Sequence, residues 1–168
     1  MSAELPVEQA AVAAAARARE VLAFRLGAEE YGIDILRVQE IRSFERTTQI
    51  VGAPPFIRGV INLRGVIVPV ADLRLKFGLA EAACDGTTAV VVLSVGGRVV
   101  GIVVDAVSDV IALAASQIRE APEFNDSVVV DHIDGLASVK QDGSERLVIL
   151  LDIEALMRGT DMGLFKAD

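Results

Sequence analysis

The only histidine of the chain, His132, sits in Asp131-His132-Ile133-Asp134, the one place where an imidazole lies beside carboxylates. An Asp-His-Asp trio is the raw material of a metal site. Strand alternation, however, turns His132 and Asp134 to one face and Asp131 to the other, leaving two ligands where a catalytic zinc takes three. A histidine at a loop or strand end is the competing reading. It is also a poor phosphoacceptor, because its neighbours are β-branched rather than helical. No serine stands in a Gly-x-Ser-x-Gly elbow or a Ser-x-x-Lys motif, and no second histidine exists to act as base. Gly96-Gly97-Arg98 to Gly101 has the glycines of a phosphate loop, but a strand pattern follows where a helix N-terminus is required. Cys84 is the single cysteine, so it forms neither an internal disulfide nor a thiolate metal site. These residues imply no catalytic centre, no metal and no cofactor.

Composition narrows the classes further. With 52% apolar and 24% charged residues among 168, the chain can bury a core without staples. A net charge of -8 and a pI near 4.7 repel phosphate backbones, and no lysine and arginine cluster offsets them. Nucleic acid is not an expected partner. The longest uncharged stretch, Gly86 to Gly97, is twelve residues, short of the roughly 18 that span a bilayer. Residues 1–20 carry Glu4, Glu8, Arg17, Arg19 and Glu20 around alanines, without the basic start and leucine-rich middle of a secretory signal. The expected location is the cytoplasm.

The elements that would position any site are short strands. After the alanine-rich tail 1–20, Leu22, Phe24 and Leu26 alternate with Val21, Ala23 and Arg25, Gly27–Glu30 gives a turn, and Ile33 and Ile35 resume the alternation. Ile57–Asp72 reads as a second hairpin turning at Asn62–Gly65, with Pro69 marking an edge strand or a bulge. Asp72 caps a short helix through Leu73 and Phe77 that ends at Gly78. Thr87–Val107 forms a third hairpin about Gly96-Gly97. Val128–Leu151 supplies more strands around Gln141–Ser144, and Asp152 caps a closing helix, 152–158, that Gly159 ends. A tail, 159–168, follows.

The two halves resemble each other. Tyr31-Gly32-Ile33-Asp34-Ile35 falls on Val100-Gly101-Ile102-Val103-Val104, and Val38, Glu40 and Ile41 fall on Val107, Asp109 and Val110, all at an offset of 69. Ala53-Pro54-Pro55-Phe56 aligns with Ala121-Pro122-Glu123-Phe124, and the strand before Asp72 aligns with the strand before Asp152. The expected fold is therefore mainly all-β: two lobes, about 21–79 and 87–151, each of about five strands curled into a small barrel, with short helices and a shared core.

Gly59-Val60-Ile61-Asn62-Leu63-Arg64-Gly65, followed by Val66 to Leu73 with its Pro69-Val70-Ala71-Asp72, resembles the signature segment of the CheW family. The likeness extends through Glu30–Ile35, Val38–Arg42, Arg98–Asp105 and Gln117–Arg119, and covers about residues 21–158. It implies two SH3-like five-stranded barrels in one domain. It also implies a non-enzymatic chemotaxis adaptor, monomeric by itself, that joins the cytoplasmic tips of receptors to the regulatory domain of the histidine kinase CheA in membrane-associated arrays. A similar coupling protein for a non-chemotaxis system is the alternative, and a β-barrel enzyme using His132 is a third reading.

By the same resemblance, Glu40, Ile41, Gly59, Asn62, Arg64, Gly65, Val90, Val107 and Val110 lie at receptor-binding positions. Ile35, Val38, Arg119, Glu123 and Phe124 lie at kinase-binding positions. The residues themselves leave alternatives open. Arg64 stands at a turn tip, where a planar cation can make forked hydrogen bonds to a partner or simply be solvated. Glu40 can pair with Arg64 or Arg42 or face a partner, the valines can be core, and Phe124 can cap its own barrel, as Phe56 can in the other repeat.

Overall fold

Residues that tolerate a left-handed backbone close each hairpin. In the computed structural model, which describes residues 19–78, 86–120 and 133–158, β1 (Arg19–Leu26) and β2 (Glu29–Asp34) meet at Gly27, with φ 63°. Arg64 and Gly65 join β4 (Ile57–Leu63) to β5 (Val66–Asp72), and Gly96-Gly97 join β6 (Ala89–Val95) to β7 (Arg98–Val104). Asp142-Gly143 join β10 (Ile133–Gln141) to β11 (Ser144–Leu151). The single strands β3 (Val38–Ser43), β8 (Ala106–Leu113) and the two-residue β9 (Ile118–Arg119) complete the set among the described residues. Asp72 accepts the amide of Arg74 and so starts the helical turn Leu73–Lys76, while Asp152 accepts the amide of Ala155 at the start of the helix Ile153–Arg158. The first strand begins at Arg19, two residues before the alternation suggested.

The fold is mainly β, in two sheets ordered β8-β1-β2-β11-β10-β9 and β3-β6-β7-β5-β4. Under the internal repeat β1, β2 and β8 correspond to β6, β7 and β3, and β10 and β11 to β4 and β5, so the two orders are the same. Registers agree as well: Leu22 opposes Val110 as Val91 opposes Ile41. Gly32 sits beside Leu150, and Gly101 beside Val70, in the parallel pairings. Even the remnant of a sixth strand recurs, since the bridge between Thr48 and Val60 stands where β9 meets β10.

The lobes are not consecutive in the chain. One sheet takes its first hairpin, β1–β2, from the first repeat and β8–β11 from the second; the other takes β3–β5 from the first repeat and β6–β7 from the second. The division at 79/87 therefore separates repeats but not sheets. The sheet containing β1 also carries a sixth, two-residue strand beyond the expected five. Pro69 is not on an edge strand, because β5 lies between β4 and β7; pairing with β7 begins at Val70, and the register shift falls on β4 between Ile57 and Gly59.

Swapping of hairpins makes the core common to both sheets. Phe24 and Ile33 of one sheet pack in a single cluster with Val91 and Ile102 of the other and with Leu156 and Met157 of the C-terminal helix. All are essentially removed from water, each contributing on the order of 1.5–3 kcal/mol. Gly32 and Gly101 are equivalent, and both sit in tight surroundings: a Cβ at Gly101 would stand 2.9 Å from a methyl of Val90, and one at Gly32 3.1 Å from a methyl of Val148.

Candidate docking surfaces

The tip of the β4–β5 hairpin folds back onto the edge strand β3. Asn62 accepts the amide of Gly65 at 2.8 Å and fixes the turn, which leaves Arg64 at φ 51° on the apex. From there Arg64 donates through Nη2 to Glu40 Oε1 at 2.6 Å, while its own side chain stays 73% exposed. Glu40 also receives a longer contact, 3.5 Å, from Arg42, whose other arm holds Glu45 at 2.8 Å. The hydrogen bond from Arg64, against a smaller desolvation effect, holds the Glu40 carboxyl below its ordinary range. Glu40 thus pairs with both candidate arginines, and most of the Arg64 guanidinium faces solvent.

The second sheet holds the equivalent acid in a closed form, with an arginine from a strand rather than from the turn: Arg146 lies on β11, past the Asp142-Gly143 turn that matches Arg64-Gly65. Asp109, the repeat equivalent of Glu40, accepts from Arg146 at 2.7 and 3.2 Å, and Arg146 also forks onto Glu30 with two bonds of 2.6 Å. Arg146 is only 16% exposed. Its hydrogen bonds pull the carboxyls of both Glu30 and Asp109 down, and Glu30 and Asp109 in turn raise the guanidinium. One clamp is sealed by two carboxylates; the other presents its arginine.

Other candidates divide by burial. Ile41 and Val110 occupy equivalent places on the edge strands β3 and β8 and are about half exposed. Val107, Val38 and Ile35 are partly buried against the large core cluster. Val90 is not a surface residue: it is 2% exposed and packs with Val70 and Val103, because β6 is covered on both faces. Gly59 is buried too, at φ 135°, where a Cβ would lie 2.1 Å from the carbonyl oxygen of Thr48; its role is to admit that close approach. Arg119 is exposed on β9, whereas Glu123 and Phe124, like Asp131, His132 and Cys84, lie outside the described residues. Among the described residues no three His, Cys, Asp or Glu side chains converge as a metal site requires. No described helix is long and apolar enough to cross a membrane.

Sequence reasoning missed Leu36, 85% exposed in the 3-10 turn Ile35–Arg37, and the equivalent pair Ile67 and Leu147, 61% and 56% exposed. It also missed the Arg146 clamp, although the match of Glu40 to Asp109 was a pointer to it.

The model of the CheW-like domain matches residues 20–161. The chain belongs to the CheW family. It is 53% identical over 146 residues to the chemotaxis protein CheW of Klebsiella aerogenes, covering 87% of this chain and 86% of that protein. It is 33% identical over 143 residues to a probable chemotaxis protein CheW of Rhizobium etli, covering 85% and 90%. Among solved structures, the scaffolding protein TtCheW of Thermoanaerobacter tengcongensis aligns with a TM-score of 0.75 at 30% identity, over 85% of this chain and 94% of that one. The CheW pattern of twin lobes and the repeat read from the residues describe the same architecture.

Proposed function

We propose that the chain is a cytoplasmic chemotaxis adaptor that couples the cytoplasmic tip of a receptor to the regulatory domain of the histidine kinase CheA, and that it acts by contact without turnover. The observation that carries the reading is the open clamp. Arg64 is held at an apex by Asn62 and Gly65, anchored at one end by Glu40, and still exposes donors in a fork suited to a partner's carboxylate or carbonyl groups. Ile41 and Val110 give equivalent apolar contacts on the two edge strands, and Val107 lies at the root of β8. The receptor tip is assigned to these residues, and the kinase to Ile35 and Val38 at the sheet crossing and to Arg119 with Glu123 and Phe124. Val90 and Gly59 support the surface from beneath. Alone the chain is a monomer; with its partners it joins arrays.

The test is capture of both partners by the immobilised full-length chain. A receptor hairpin-tip fragment and the kinase regulatory domain are expected to be retained together. Arg64→Ala is expected to lower receptor retention while leaving the melting transition in place. Retention of neither partner, or mutual exclusion of the two, would overturn the reading.

A further inference from the structure

The chain crosses between the sheets twice along the described residues, once through Ile35–Arg37, between β2 and β3, and once through Asp105, between β7 and β8. At an offset of 69 these crossings are equivalent, and Asp105 takes the place of Leu36. They are built in opposite ways. Asp105 donates its amide to the Arg25 carbonyl at 3.0 Å and accepts the Gly27 amide at 2.7 Å, which ties it to the β1–β2 turn of the other sheet. It accepts Thr87 Oγ1 on its carbonyl at 3.0 Å and Arg74 Nη1 on its carboxylate at 3.0 Å. Arg74 has no exposure and forks onto Asp72, also fully buried, which Arg58 reaches from β4.

At the other crossing the equivalents of Arg58, Asp72 and Arg74 are Asp134, Asp152 and Glu154. Among the described residues no buried ion chain forms there. The turn is held only locally, by Asp34 accepting the Leu36 amide at 3.0 Å and Ile35 accepting the Val38 amide; Arg19 pairs with Asp134 and Arg37 with Glu154 on partly exposed side chains around a cavity of about 190 Å³, and Leu36 points to solvent. Buried ion pairs are poor sources of net stability, and replacing them with apolar residues is often neutral; what they supply is one geometry.

We infer that Asp105, held by Arg74, is a positioning residue that fixes the root and bearing of β8, while the crossing at Ile35–Arg37 is the compliant one. This rests on the proposed function for its consequence. Val107 and Val110, assigned to the receptor, follow Asp105 by two and five residues, so their placement depends on it. Ile35 and Val38, assigned to the kinase, flank the crossing that yields. A receptor pulling on β8 then acts on a fixed root and is felt at the kinase side.

Amide hydrogen exchange on the full chain tests this without any partner. In the unaltered protein the amides of Asp105 and of the first β8 residues should exchange at least tenfold more slowly than those of Leu36 and Arg37. Equal protection at the two crossings overturns the inference, and this comparison needs no variant. Asp105→Asn, which keeps shape and an acceptor, should raise exchange across β8 about tenfold and weaken receptor-tip binding several-fold, with kinase binding unchanged. Arg37→Ala should leave β8 exchange as it was. A folded Asp105→Asn protein with unchanged β8 exchange refutes the positioning role. Raised exchange in a chain whose unaltered form binds no receptor tip would instead refute the functional reading and leave the positioning role standing.

Discussion

Arg146→Ala and Arg64→Ala each remove the arginine that holds one of the equivalent acids Asp109 and Glu40, and the geometry requires them to fail differently. The fork from Arg146 to Glu30 is largely buried, with side chains 16% and 22% exposed and two bonds of 2.6 Å. Net hydrogen bonds to charged groups are worth about 1.5–3 kcal/mol, so the fork contributes about 2 kcal/mol after allowance for its partial exposure. The arm to Asp109, 46% exposed, adds under about 1 kcal/mol. A loss of about 2–3 kcal/mol at about 2–4 °C per kcal/mol for a chain of this size lowers Tm by about 5–10 °C. Arg64, 73% exposed, should shift Tm by no more than about 2 °C and act on receptor binding instead.

Differential scanning calorimetry of the two variants and the unaltered chain, repeated as the pH falls, checks both the size and the cause. Glu30 and Asp109 have carboxyls lowered in the folded state. Their contribution is therefore full above the unfolded values near pH 4 and is lost as pH drops through the lower folded values. The gap between the unaltered chain and Arg146→Ala should be constant from about pH 7 to pH 5 and shrink below about pH 4. An Arg64→Ala protein that melts as low as Arg146→Ala refutes the distinction between sealed and open clamps. A gap that stays the same at the lowest pH at which the chain remains folded refutes the electrostatic account.

Three more outcomes follow from the packing. Gly59→Ala places a Cβ against the Thr48 carbonyl at a strained φ and should abolish soluble folded protein, read by circular dichroism. Gly101→Ala meets a valine methyl that can move, so it should cost about 1–3 kcal/mol by urea unfolding, while Gly97→Ala, in open space, should cost about 1 kcal/mol through its positive φ alone. Val90→Ala should lower stability by about 1–3 kcal/mol and leave partner binding per folded molecule unchanged, as measured by titration calorimetry, because the residue is core.

What the sequence made legible was local. Gly27, Arg64-Gly65, Gly96-Gly97 and Asp142-Gly143 announced their hairpins because only a few residues accept a left-handed backbone, and Asp72 and Asp152 announced their helices by capping chemistry. The repeat announced that two lobes would share one plan. Exchange of the β1–β2 and β6–β7 hairpins was hidden, since turn chemistry specifies which strands form a hairpin but not which distant strand a hairpin lies beside. β2 pairs in parallel with β11, more than a hundred residues away, through backbone bonds that carry no residue signature. At the candidate site, Arg64 and Glu40 were visible as a turn-tip cation and an isolated acid. Val90 is core rather than surface, and the unbroken apolar run Ala89–Leu93 is the mark of a strand covered on both sides. Leu36 was missed because an exposed leucine within an apolar segment looks like any other.

Duplication supplies the same scaffold twice, and the differences between copies show where each has been put to use. A shared core constrains Phe24, Ile33, Val91 and Ile102 together, so those positions cannot diverge to suit a partner without disturbing both sheets. The copies differ in function-bearing ways at the clamps and at the crossings. The equivalent acids Asp109 and Glu40 are held differently: Arg146, from a strand, is sealed by Asp109 and Glu30 and serves the fold, whereas Arg64, from a turn tip, is steadied by Glu40 and its remaining donors face outward. At the crossings the assignment reverses: the copy ending at Asp72 is pinned by buried charge, and the copy ending at Asp152 is left with surface pairs. A body built this way has one open polar hook, one fixed strand root and one yielding corner, each on a different element of a common core. The proposed adaptor role asks for these features, since it holds two partners at once and lets one influence the other.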